Sequence, residues 1–577
     1  MPRKSSDPTF DSQCQQTLAD EFNAHFSSVG EKTYNEVKIN IDNADTSQVN
    51  QDKLNKRVRF KPKSITMYDL VNIVKNLKNS NSVGHDDISL KYLKDSSEVT
   101  FSYILVIINT SIQTGIFPTQ WKEAIVKPLH KSGDANEPSN FRPVSLLPIL
   151  SKILEKAVAN QLVTFLEENN ILSNCQHAYR KNLSTETALL KVVEEIYEAI
   201  ENNEISIVVS LDLSKAFDTV DPKTLLDKLN EANIDSFWFD SYLHGRMQSV
   251  KINNIVSQSK NVAFGVPQGS ILGPILFSLY INNIANDLNC SIVFYADDAQ
   301  FVIKGNLNNI KGIIEATERT LTKLKIKFSQ LGLKINPNKT QCIFVGSPTM
   351  TRNIDHNLYI NFDGYHINFS KNIKILGIIL DENLLYDKHI ESLCNKTKST
   401  LIYLQRIKHK LDKATMKLIV ESLVISKLNY CSLIYSKCSA SLKKDVQKVQ
   451  NFAAKVVCGN GRKHDHATPF INDLKWLRMD ENFRLAEGTF IYKVITNRMP
   501  SWVINFPSNN SRQIGRVLRN VNELTIKDNK TSYGRRSLSY SGPHLFNGLP
   551  QCIKELLTVK SFKANMRSFE MQKRTVS

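Results

Sequence analysis

Apolar residues return every three or four positions in several stretches, which predicts helices: an amphipathic run over 18–29, DLVNIVKNL at 69–77, and 101–112. Residues 149–168, with Ile149, Leu150, Ile153, Leu154, Val158 and Leu162 in phase, and residues 185–201 repeat the pattern. NSVGHDDIS (81–89) predicts a loop, and Pro118, Pro128, Gly133, Pro138, Pro143 and Pro148 punctuate short apolar runs that read as strands and loops. At ISIVVSLDL (205–213) the pattern changes to that of a buried strand, β-branched and bounded by polar residues. A helix is expected over 223–233, strands around 248–253 and 260–264, and a strongly apolar helix over 269–284. SIVFY (291–295) and AQFVI (299–303) predict two strands joined in a hairpin by Ala296-Asp297-Asp298. A helix follows over 308–331, ending near Gly332, then strands at 342–346, 357–362 and 372–380. Beyond Asp387 the pattern is mainly helical to about residue 497, and the tail from 501 reads as irregular and basic. There are no internal repeats.

The length of 577 residues implies several structural units, and 41% hydrophobic with 23% charged residues excludes a wholly disordered chain. No apolar run approaches the ~18 residues of a membrane span, and MPRKSSDPTF lacks a hydrophobic signal core. Nine scattered cysteines without a C-x-x-C pair suggest a reducing, intracellular setting, nucleus or cytoplasm. The net charge of +18 is unevenly placed: residues 1–385 hold 40 basic and 42 acidic residues, residues 386–577 hold 34 and 14. The last third therefore carries the whole excess, which suits a polyanionic partner such as nucleic acid. Within 201–300 the balance reverses, with 6 basic against 12 acidic residues.

That acidic stretch holds the candidate chemistry. Asp212 ends an apolar strand, and Asp297 and Asp298 sit at an apolar hairpin tip. Strands this apolar are buried, so their ends approach one sheet edge where three carboxylates could meet. Such a group raises the pKa of its members unless cations intervene, and Mg²⁺ suits an oxygen-rich site of this kind. Taken alone, Asp297-Asp298 is better read as ordinary turn composition. Cys431, Cys438, Cys458, His464 and His466 fit no zinc spacing, and a structural role is favoured for them, as for His85-Asp86-Asp87.

Several segments in order change the weight of those aspartates. SIVVSLDLSKAFDTVD (206–221), GVPQGSILGPILF (265–277) and YADD (295–298) resemble the successive motifs of reverse transcriptases. HKSGDANEPSNFRPVSLLPILSKILEK (130–156) and QHAYRKNLSTETAL (176–189) resemble the fingers motifs of the non-LTR, LINE-type, jockey-like branch. LGLKINPNKTQCIFVG (331–346) and ILGIILDENLLYDKHI (375–390) are similar to later palm motifs and the start of the thumb. The resemblance is clear over about 60–400 and continues more weakly through NRMPSWV and RRSLSYSGPHLFNGLP.

The resemblance implies an α+β right-hand polymerase. Residues 1–64 would be a polar N-terminal extension, 65–385 fingers and a palm with an antiparallel sheet, 386–500 a helical thumb, and 501–577 a basic tail gripping phosphates. It implies RNA-directed DNA synthesis from a primer 3′-hydroxyl on an RNA template, with dNTPs and two Mg²⁺ (Mn²⁺ as a substitute), in retrotransposon replication. Asp212, Asp297 and Asp298 would hold the ions, with the Leu213 carbonyl as a further ligand. Phe217 stands where the family places the ring that excludes a ribose 2′-hydroxyl, though a core aromatic is an open alternative. Gln268 and Gly269 of the PQG turn would contact nucleotide and template, Lys131 and Arg142 the triphosphate, and Lys339 the leaving pyrophosphate. Surface charge remains the alternative for Lys131. The branch usually carries an N-terminal endonuclease, for which no room precedes the polymerase motifs, so a protein limited to this chain is expected to polymerise without nicking its target. A catalytically inactive nucleic-acid-binding remnant is the competing reading, and a domesticated splicing or telomere factor a third.

Overall fold

The computed structural model describes residues 12–39, 59–131, 133–355, 357–459, 465–504, 506 and 523–576. In chain order its first strands are β1 (Glu123–His130), β2 (Phe141–Leu146), β3 (Glu204–Leu211), β4 (Leu213–Ser214), β5 (Arg246–Ile252), β6 (Ile255–Val256) and β7 (Lys260–Val262). Next come β8 (Ser291–Tyr295), β9 (Asp298–Asn306), β10 (Lys334–Ile335) and β11 (Gln341–Val345). Two short hairpins follow, β12 (Tyr359–Phe362) with β13 (Tyr365–Asn368), and β14 (Asn372–Ile375) with β15 (Ile378–Asp381). The chain divides into two compact units, residues 1–179, 212–288 and 321–336 in the first, and 180–211, 289–320 and 337–577 in the second.

The first unit is built on the sheet β2-β1-β5-β6, with β7 also paired to β5 and β1 parallel to β5. The helix α1 (Ser12–Ile39) lies on this sheet, where Phe22 and Phe26 pack with Val126 and Val250. Residues 1–64 were expected as a polar extension; the 12–39 stretch is instead part of this unit, because one apolar stripe on a polar helix is enough to dock it. The Asn23 amide ties the helix to the Gln258 carbonyl at 2.6 Å. The basic cluster over 53–63 lies partly outside the described residues.

The second unit centres on the antiparallel sheet β11-β3-β9-β8. The Thr185–Glu201 helix, started by a Ser184–Thr187 capping box, covers one face, with Leu189, Val193 and Ile196 in the same core as Val208, Val293 and Val302. Helices Asp387–Ile407, Ala440–Cys458 and Met479–Ile495 continue that core. The run 372–380, expected as one strand, is a hairpin, because Leu376 and Gly377 both take positive φ (44° and 88°) and turn the chain. The expected irregular tail is also corrected: Leu538–Asn547 and Val559–Val576 are helices. Leu538, Phe546, Phe562 and Met566 are buried in the core of this unit, and Glu194 accepts the Leu538 amide at 2.7 Å. The tail's arginines at 512, 516 and 519 lie outside the described residues. Among the described residues no helix is long and apolar enough to cross a membrane.

Phe562 is fully buried and stacks on Tyr492 with ring centroids 4.3 Å apart. Phe562→Ala should therefore destabilise this unit by about 3–5 kcal/mol, read as a fall in the urea midpoint; an unchanged midpoint would show that the tail helix is not part of the core.

Candidate active site

β3 and β9 pair without a break from Glu204 opposite Asn306 to Leu211 opposite Ala299. β8 and β9 pair up to Tyr295 opposite Asp298, so the hairpin loop is Ala296 and Asp297 alone, and Asp298 is the first strand residue rather than part of the turn. Ala296 takes φ +59°, a conformation that costs a residue with a Cβ on the order of 1 kcal/mol. Asp297 is half-buried and Asp298 exposed.

Asp212 follows Leu211 directly in the chain. Its carbonyl accepts the Asn336 amide at 2.8 Å, and the buried Leu213 pairs with Ile335 across β4 and β10. Among the described residues no three His, Cys, Asp or Glu side chains are gathered as a ready cation site. Asp212 belongs to the first unit and Asp297 and Asp298 to the second, and each offers hard carboxylate oxygens of the kind Mg²⁺ takes.

The first unit gathers the PQG segment and the turn after β4. The Val266 amide donates to the Phe217 carbonyl at 3.0 Å and the Gly265 amide to the Val220 carbonyl at 2.7 Å, so the two loops are joined through their backbones. The Phe217 ring stacks on Phe277, centroids 4.5 Å apart and planes 25° from parallel, and stays partly exposed. The Gln268 carbonyl accepts the Ser145 amide at 2.8 Å. Gly269 takes φ +134°, and a Cβ there would stand 2.5 Å from the Ser145 carbonyl oxygen, so this approach admits glycine alone. The apolar helix expected over 269–284 is shortened to Gly273–Tyr280. Its preceding amides, Ile271 and Leu272, are claimed by the buried Glu155 carboxylate at 2.7 and 3.1 Å.

Arg142 lies on β2 opposite Leu129, and Lys131 follows β1 with its amide on the Asn140 carbonyl at 2.9 Å; both side chains are exposed on one hairpin. Lys339 is exposed in a turn before β11 and belongs to the second unit, separate from the unit that holds that pair. The zinc candidates are not brought together among the described residues: Cys431 faces the Thr185 hydroxyl at 3.6 Å and Cys458 the Asp473 carboxylate at 3.5 Å. Burial pushes the Cys431 and Cys438 thiols up to about 11. His464 lies outside the described residues.

Two acidic residues were missed. Glu155 carries its charge beside the apolar positions Leu154 and Val158, which was a readable signal of a buried carboxylate. Asp218 accepts the Gln268 side-chain amide at 2.7 Å. Burial pushes its carboxyl up to about 6, against the pull of that hydrogen bond and of Lys215.

Residues 129–380 match the family model described as reverse transcriptase (RNA-dependent DNA polymerase). The chain is 26% identical over 430 residues to the probable RNA-directed DNA polymerase from transposon X-element of Drosophila melanogaster, covering 71% of this chain and 46% of that protein. It is 29% identical over 371 residues to the probable RNA-directed DNA polymerase from transposon BS of the same organism, covering 62% and 40%. It is 28% identical over 344 residues to the RNA-directed DNA polymerase from mobile element jockey, again of Drosophila melanogaster, covering 57% and 36%. The chain spans less than half the length of each of these relatives.

Proposed function

We propose that residues 129–380, which match the reverse transcriptase model, form such a domain of the non-LTR, LINE-type kind, and that the chain is an RNA-directed DNA polymerase of retrotransposon replication. It extends a primer 3′-hydroxyl with dNTPs on an RNA template. The observation that carries the reading is the β3–β9 ladder, which ends at Leu211, the neighbour of Asp212, and opposite it at Ala299, the neighbour of Asp298. The finer architecture belongs to the same proposal: fingers and palm over 65–385 and a helical thumb over 386–500. The helices at 538–547 and 559–576 of the basic tail support the core of the second unit.

Asp212, Asp297, Asp298 and the Leu213 carbonyl would hold two Mg²⁺, with Mn²⁺ as a substitute. When bound, such ions lower the charge on the transferring phosphoryl group and its leaving pyrophosphate. The chain's own residues position the reactants. Arg142 offers a planar guanidinium to the triphosphate, with Lys131 beside it as a point charge, and Lys339 serves the pyrophosphate. Gln268 and the glycine approach at Gly269 receive the nucleotide and template. Phe217, braced by Phe277 and exposed on its remaining surface, presents a wall where an added 2′-hydroxyl would collide; the brace and the wall are one role, so the core-aromatic and gate readings are compatible. Recognition of the template–primer hybrid through backbone and shape lets any template sequence be copied.

Primer extension on an RNA template tests the reading. Asp297→Asn with Asp298→Asn should lower the rate by more than about 100-fold, because transfer here is charge stabilisation and little else; extension equal to wild type would favour the inactive-remnant reading. Phe217→Val should raise ribonucleotide incorporation relative to deoxyribonucleotide by at least about tenfold. Unchanged discrimination would leave Phe217 as a packing residue only.

A further inference from the structure

Asp218 is not used by the mechanism above, yet it is held more tightly than a turn residue needs. The residue is part-exposed, but its Oδ2 is sealed from solvent with no hydrogen-bond partner, and its Oδ1 takes the Gln268 amide. Gly30 of α1 lies so close that a Cβ there would overlap the Asp218 carbonyl oxygen. On the other side Gly265 takes φ +89°, and its Cβ would fall 2.9 Å from the Asp218 Cα. Asp218 and Gln268 both line a cavity of about 50 Å³, room for a few waters, bounded also by Ser27, Gly30 and Arg246.

Gln268 is pinned at its backbone by Ser145, so the orientation of its amide is what remains to be set. An ionised carboxylate can only accept hydrogen bonds, and an amide carries donors at one end and an acceptor at the other. Facing Asp218, Gln268 must turn its NH₂ inward and its carbonyl Oε1 away. An asparagine or a protonated acid at 218 also donates, and either amide orientation then becomes allowed.

We propose that Asp218 is a positioning residue that fixes the amide orientation of Gln268, so that Gln268 meets the incoming nucleotide with its carbonyl oxygen as an acceptor. The inference rests on the polymerase reading and names what that reading leaves open, namely what holds Gln268 in one state. Because burial pushes the Asp218 carboxyl up to about 6, the lock should loosen in mild acid. The charged groups around it are Lys215 of its own turn and, on the cavity wall, Lys122 and Arg246. The α1 face of the cavity offers Phe26, Ser27 and Gly30, none of which titrates, while His25 of the same helix feels Lys215.

The test is steady-state extension by one dNTP on a homopolymeric RNA template from pH 5.5 to 7.5, with wild type, Asp218→Asn, Gln268→Met, the double variant and His25→Gln. Asp218→Asn should raise the KM for dNTP roughly threefold to tenfold, the worth of one hydrogen bond, with kcat within about twofold. Wild type should show a KM that climbs as pH falls through about 6, the value set by the buried carboxyl. Asp218→Asn and Gln268→Met should lack that climb, and His25→Gln should keep it. In the Gln268→Met background, Asp218→Asn should change KM no further. Additive effects, or a wild-type profile in Asp218→Asn, would overturn the positioning role while leaving the polymerase standing. Should Asp218→Asn fail to fold, Gln268→Met decides alone: retention of the climb overturns the proposal. Absence of RNA-templated extension by wild type would remove the polymerase reading and this role together.

Discussion

Eight consecutive residue pairs join β3 to β9, from Glu204 with Asn306 to Leu211 with Ala299, and β11 pairs along the other edge of β3. A slip of one residue in that ladder would turn every side chain to the opposite face. Val208 and Val302, and with them Ser206 and Gln300 of the same face, would then leave Leu189, Val193 and Ile196, while Ile207, Val209, Phe301 and Ile303 would lose the opposite face in which they are buried. Losing several buried aliphatic contacts at about 1.5–3 kcal/mol each makes the slipped register inaccessible. The places where β3 stops and β9 starts are thus fixed by hydrophobic burial far from the aspartates, and the β8–β9 loop can be as short as Ala296-Asp297, strained backbone included.

The first unit uses a different device. Its loops are joined by backbone hydrogen bonds and by two acidic side chains that face inward. Glu155 gathers the Ile271 and Leu272 amides and the Tyr242 hydroxyl. Asp218 gathers the Gln268 side chain. Glycines at 30, 265 and 269 allow backbones to approach at distances that a Cβ would forbid.

The parts legible in the sequence were those with a local signal. The Ile149–Glu168 and Thr185–Glu201 helices and the β8–β9 pair each state their period within one short window. The C-terminal helices did not read through because KSFKANMRSFEMQKR is so highly charged that its single apolar stripe of Phe562, Met566 and Phe569 is outweighed by composition. The hairpin at Leu376-Gly377 was hidden by continuous apolar sequence, in which Gly377 was the one clue. The part played by α1 depends on partners more than 100 residues away, at Val126 and Val250, and the Asp218–Gln268 pair spans 50 residues. No local pattern encodes such contacts, although an aspartate directly after an apolar Ala-Phe pair was a visible anomaly.

The proposal most open to direct test is that Asp212, Asp297 and Asp298 share bound metal. Replacing Mg²⁺ by Fe²⁺ and adding ascorbate cuts the backbone beside the ion, and mapping those cuts tests the claim without reference to turnover. The account predicts cleavage in two separate segments, around 211–214 and around 295–299, both suppressed by excess Mg²⁺ and both lost in Asp212→Asn. Cleavage confined to one segment, or persisting unchanged in that variant, would contradict it.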